Sequence, residues 1–176
     1  MDINQIVKLA SKSWSLKILA LFHNGVPGRQ APLLAATGAG RTAFGQSLKY
    51  LIEIGMIERN PGHGHPLRPE FRLTPDGAEA AKLAAGVLGV IGEDEKGFAL
   101  MRKTWTLPIL AVLGEESRFS QIKSALPAIT DRALSQALLQ LEKQGWVDRE
   151  IVLEGRHPYP SYKAVGTGAE INARVC

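Results

Sequence analysis

The sequence holds a single cysteine, Cys176, at its last position. One thiol cannot build an internal disulfide framework, so the fold must rest on a hydrophobic core and suits a reducing compartment. Long hydrophobic runs are missing too. The longest mostly apolar stretch, Leu83 to Ile91, is interrupted by glycine and falls well short of the ~20 residues a membrane-spanning helix needs. Met1-Asp2-Ile3-Asn4 carries no basic segment leading into an apolar one, so no secretory leader is expected and a cytoplasmic location is. Catalytic signatures are absent as well: there is no phosphate-loop lysine motif, zinc-protease motif or nucleophile elbow. Gly38-Ala39-Gly40-Arg41-Thr42-Ala43 fits a dinucleotide fingerprint only superficially, because no strand precedes it and no βαβ unit surrounds it. His63, His65 and His157 lack a local third ligand or an accompanying cysteine or carboxylate cluster. The expectation is therefore no catalysis, no cofactor, no metal and no membrane.

What is present is 176 residues, 45% of them hydrophobic, enough for one or two ordinary cores. The net charge of +4 and an isoelectric point near 9.3 fit an anionic partner without demanding one. The chain also repeats itself. Trp14-Ser15-Leu16-Lys17-Ile18-Leu19-Ala20 reappears as Trp105-Thr106-Leu107-Pro108-Ile109-Leu110-Ala111. The segment from Ala43 to Leu51 aligns with Ala133 to Leu141, and Gly55-Met56-Ile57-Glu58-Arg59 with Gly145-Trp146-Val147-Asp148-Arg149. Phe71-Arg72 pairs with Tyr162-Lys163, and Gly77-Ala78-Glu79 with Gly168-Ala169-Glu170. The offset stays at 90 or 91 residues, which reads as a duplication with units 1–92 and 93–176.

Each unit has the same periodicity. A first helix over Trp14 to Phe22, or about Thr106 to Leu113, buries one apolar face, with Pro108 tolerable in its first turn. Short second helices follow around Ala31 to Ala36 and Ser120 to Leu126. Third helices carry Phe44, Leu48 and Leu51, or Leu134, Leu138 and Leu141, at i, i+4 and i+7. Thr130 is placed as an N-cap, and Gly55 and Gly145 as left-handed helix ends. Strands from Met56 to Arg59 and Trp146 to Ile151 then lead through loops into strands near Glu70 to Thr74 and Ser161 to Val165. Ile3 to Ala10 and Phe98 to Lys103 read as leader helices. Ala78 to Ile91 reads as an alanine-rich helix, and Gly92 to Gly97 as the boundary. The fold class is mainly α with small β hairpins, as tandem winged helix-turn-helix domains.

The second unit resembles the HxlR-type family of bacterial winged-helix regulators. The resemblance is carried by Lys103-Thr104-Trp105-Thr106-Leu107-Pro108-Ile109-Leu110, by Arg118-Phe119-Ser120-Gln121-Ile122, and by Ala125-Leu126-Pro127-Ala128-Ile129-Thr130. It continues through Leu138 to Arg149 and ends on Pro158, Tyr159, Pro160 and Tyr162. The first unit joins it only through the repeat. The resemblance implies DNA binding, transcription regulation and homodimers of single units. This chain departs from it by fusing two units and by lacking the cysteine that many members carry before the first helix, so thiol or aldehyde sensing is not carried over.

With the leucines inward, the third helices turn Arg41, Thr42, Gln46 and Lys49 outward in unit one. In unit two they turn out Arg132, Ser135, Gln136 and Gln140, with Thr130 at the helix start. Arginine can bond bidentately to guanine and glutamine to adenine, while hydroxyls and lysine reach phosphates. Any solvated helix face carries such residues; the winged-helix frame gives these their meaning. Arg68 and Arg156 in the wing loops, and Lys163 beyond the second, complete the candidate contacts. Double-stranded DNA is the expected partner, and a protein-binding scaffold is the alternative. A homodimer of chains stays open beside an internal pair of units, and no small-molecule effector can be identified. Residues 1–92 hold ten Lys/Arg and six Asp/Glu, whereas residues 93–176 hold eleven of each. The net charge of the chain therefore belongs to the first unit.

Overall fold

The computed structural model describes residues 1–60, 69–153 and 157–175. The first half runs α1 (Ile3–Ala10), α2 (Ser15–His23), α3 (Gln30–Thr37), α4 (Arg41–Glu53), β1 (Ile57–Asn60), β2 (Glu70–Leu73) and α5 (Pro75–Ile91). The second half follows with α6 (Glu95–Met101), α7 (Thr106–Val112), β3 (Ser117–Arg118), α8 (Phe119–Ala125), α9 (Asp131–Lys143), β4 (Val147–Val152), β5 (Tyr159–Ala164) and α10 (Thr167–Val175). Helices thus dominate, with small antiparallel sheets, an arrangement compatible with winged helix-turn-helix units. Among the described residues, no helix is long and apolar enough to cross a membrane.

The two third helices show why the pattern folds as it does. Phe44 and Leu51 in α4, and Leu134 and Leu141 in α9, are almost fully buried. The Thr130 hydroxyl accepts from the Ala133 backbone N–H at 3.2 Å, which satisfies one orphan donor at the start of α9. The start of α4 has Gly40 in that position and no side-chain cap. Gly55 and Gly145 both adopt φ of +75°, the left-handed turn that releases each helix into its strand. Gly77 and Gly168, matched in the sequence, share a different constraint. A methyl at Gly77 would lie 1.8 Å from the Met56 carbonyl oxygen, and one at Gly168 would lie 2.0 Å from that of Trp146. In each half the last helix is pressed onto the chain leaving the third.

The sheets go beyond simple hairpins. β1 and β2 pair antiparallel with Ile57 opposite Leu73. The second sheet has three strands in the order β3-β5-β4, with Ser117 opposite Tyr162 and Val147 opposite Ala164. The sequence pattern does not reveal β3, because two residues carry no alternation. Among the described residues, its counterpart in the first half is a bridge between Arg29 and Glu70. The boundary region also differs from expectation. Residues 95–97 are already helical, since the Asp94 side chain accepts from the Lys96 N–H at 3.0 Å and starts α6 there.

The halves pack on one another. α1, from the first half, lies against α7 in the second, and α5 lies against both α2 and α10. Ala80, Ala81 and Ala84 are fully buried on α5, and their small side chains let the helices approach closely. From the other direction, Phe98 of α6 meets Trp14 with ring centroids 5.9 Å apart, and the Arg102 guanidinium stacks 4.6 Å from the Trp14 ring. Asn172 of α10 donates to the carbonyls of Leu110 and Leu113 at 2.7 and 2.9 Å, closing the end of α7. The buried apolar residues therefore form one continuous cluster across residues 6–175, with the leader helix of each half reaching the other.

Candidate nucleic-acid interface

In each half, a short helix, a turn and a longer helix precede an antiparallel sheet. In the first, α3 ends on Gly38 at φ +73°, and the Thr37 hydroxyl both donates to Leu34 O at 2.8 Å and accepts from Ala39 N–H at 3.2 Å. In the second, the turn is anchored by buried Leu126 and Ile129, and the Lys123 ammonium donates to the Ile129 carbonyl. These turns fix the outward faces of α4 and α9.

On α4, Arg41, Thr42, Gln46 and Lys49 are all exposed, as expected. Lys49 lies 3.7 Å from Glu53, but the side chains are 80% and 57% exposed, so this pair barely restrains it. On α9, Thr130, Arg132, Ser135 and Gln136 are exposed. Gln46 and Gln136 occupy matching positions, one per third helix. Leu139 is half-exposed where the first half has Lys49, so the second face is less basic and offers an apolar contact instead.

Two expected contacts are placed differently. Gln140 is half-buried and accepts from the Lys103 ammonium at 2.8 Å, so it ties α9 to the residues before α7 rather than standing free. Lys163 lies opposite Asp148 on β4 and pairs with Glu150 at 3.4 Å. It lines a cavity of about 720 Å³ together with Glu115 and Glu116. Arg72, its match in the first half, is likewise paired with Glu58. Both cations are paired from the facing strand. Arg68 and Arg156, with His63 and His65, lie outside the described residues. No group of three or more metal-ligating side chains occurs among the described residues.

The geometry adds two cations that the outward-face argument missed. Arg118 precedes α8, and its guanidinium lies 3.7 Å from the centroid of the Tyr159 ring at the start of β5. Lys103 stands exposed beside α9. Lys12 holds the matching place beside α4, 5.8 Å from the Tyr50 ring. The sequence signal was available in the repeat itself, since Lys12 and Lys103 are 91 residues apart.

Comparison with known proteins covers the second of these frames. Residues 100–175, which include α7 to α10, match the family model described as HxlR-like helix-turn-helix. An uncharacterized HTH-type transcriptional regulator of Bacillus subtilis, YvaP, is 38% identical over 61 residues, covering 34% of this chain and 56% of that protein. Uncharacterized HTH-type transcriptional regulators of Mycobacterium bovis and Mycobacterium tuberculosis are each 31% identical over 78 residues, covering 44% of this chain and 49% of theirs. The chain spans about half the length of the curated relatives it matches. No solved structure matches it significantly.

Proposed function

We propose that the chain is a DNA-binding transcription regulator, not an enzyme, that reads duplex DNA with two winged-helix units, 1–92 and 93–176, related by duplication. The HxlR-like match and the regulators similar to this chain support the regulator reading. The observation that carries the two-unit version is the matched pair of third helices, each preceded by a helix and turn and each exposing a glutamine, Gln46 or Gln136, at the same position. On this reading, α4 and α9 enter major grooves, glutamine and arginine read base edges, and hydroxyls and lysines hold phosphates. The reciprocal packing of α1 on α7 and of Phe98 on Trp14 supports an internal pair, in which one chain does what two single-unit subunits would do. Arg41, Thr42, Gln46, Lys49, Thr130, Arg132, Ser135 and Gln136 form the reading set, Lys103 and Arg118 join it at the backbone, and Gln140 and Lys163 are left out. An electrophoretic titration of the full chain against random duplex at low salt tests this. Retardation that fades as salt rises is expected. No retardation would remove the DNA reading and favour a scaffold.

A further inference from the structure

Between α6 and α9 the surface opens into a groove of about 300 Å³, with Lys96, Lys103 and Lys143 around it, Ala99 and Leu100 along it, and Gln140 at one side. A second hollow of about 250 Å³ shares Lys103 and Gln140 and continues towards Trp105 and Gln136. Among the described residues, no acidic side chain lines either one. Asp94, at the start of α6, is occupied: it accepts from the Gln144 amide at 2.8 Å and caps the helix. Three ammonium groups thus surround a partly apolar slot with no counter-charge in its lining.

The matching place in the first half shows what such a slot holds. There Tyr50 takes the position of Gln140, and its hydroxyl donates to the Lys8 carbonyl at 3.0 Å. Its ring spans from α4 to α1, with the Lys12 ammonium 5.8 Å from the ring centroid. In the second half Gln140 is short of a ring and stops at Lys103, the match of Lys12. Ala99 stands where the first half has Lys8. By the repeat, the groove corresponds to the place the Tyr50 ring takes in the first half, and Lys103 is among its lining.

We propose that this groove binds a small aromatic carboxylate. The ring lies along Ala99 and Leu100 beneath Lys103, as Tyr50 lies beneath Lys12, and the carboxylate is held by Lys96 or Lys143 through charge-assisted hydrogen bonds. An aliphatic acid lacks the face that Lys103 stacks on, and a neutral arene lacks the charge the lysines attract. The site goes beyond the DNA reading and rests on it only in treating the two halves as matched. It lies beside α9, so its occupant brings negative charge next to Gln136.

Benzoate, titrated into the full chain without DNA and followed by calorimetry, is the test. For a ligand of this size, binding on the order of 0.1–1 mM is expected. Benzamide and cyclohexanecarboxylate should each bind about ten-fold or more weakly. Gln140→Tyr, which puts the ring of the first half into the second, should abolish binding. Lys96→Gln with Lys143→Gln, both on exposed residues, should weaken it about ten-fold and keeps the test intact if the tyrosine variant does not fold. The proposal is overturned if native chain shows no benzoate binding up to about 10 mM, or if either variant binds as the native chain does. Because DNA is absent, that failure is distinct from a failure of the DNA reading.

Discussion

Removing charge from α4 should change the salt dependence of DNA binding, whereas removing Lys163 should not. Arg41 and Lys49 are exposed on the outward face of α4, and Lys49 is held only by the open pair with Glu53. Lys163 is less exposed than Lys49, pairs with Glu150 and shares its cavity with Glu115 and Glu116, so it sits in an acidic setting rather than on the open helix face. Each phosphate neutralised contributes about 0.9 to the slope of log affinity against log salt. If both α4 cations touch phosphates, Arg41→Ala with Lys49→Ala lowers that slope by about 1.8. Between roughly 50 and 200 mM salt, each contact is worth about 3.5-fold in affinity, so the double variant and the native chain should differ by about twelve-fold less at the higher salt. Lys163→Ala should leave the slope unchanged within ~0.3. Fluorescence anisotropy on a labelled random duplex across a salt series reads all three slopes. An unchanged slope in the α4 double variant, or an equal fall for Lys163→Ala, would refute the assignment of charge to face.

Other expectations concern the frame. Gly168→Ala and Gly77→Ala each drive a methyl into a backbone carbonyl, at 2.0 and 1.8 Å, and should each cost about 3 kcal/mol or more in urea unfolding of the full chain; a loss below ~1 kcal/mol would show that the contact relaxes. Thr106 and Ser15 match in the repeat yet should respond with opposite sign. The Thr106 hydroxyl donates to Leu100 O at 2.7 Å, whereas the buried Ser15 hydroxyl has no partner among the described residues. Thr106→Val should lose about 1 kcal/mol, or roughly 2–4 °C in Tm, and Ser15→Ala should gain a similar amount, with equal losses in thermal melts contradicting the asymmetry. Thr130→Ala should destabilise the chain by about 1 kcal/mol through the lost cap of α9, and Thr130→Ser should recover most of it.

The helices were legible because their signals are local. Phe44, Leu48 and Leu51, like Leu134, Leu138 and Leu141, fall at helical spacing and are buried, and Gly55 and Gly145 end both helices as their conformational freedom suggests. What stayed hidden depends on who faces whom. The apolar face of α1 shows in the sequence, but nothing local says that it lies on α7 in the other half. Lys163 reads as a free wing cation until the register sets it opposite Asp148 and beside Glu150. Gln140 reads as an outward residue one step from Leu139, yet the leader segment brings Lys103 to it. The edge of the α9 face is claimed by a neighbour.

The most direct measurement of the central reading is a hydroxyl-radical footprint of the full chain on a duplex selected from a random pool. One chain per duplex should protect two patches whose centres lie about one helical turn, roughly 34 Å, apart, from α4 and α9 in successive major grooves. A single protected patch per chain would contradict the two-unit reading, and the absence of any selectable duplex would contradict DNA binding itself.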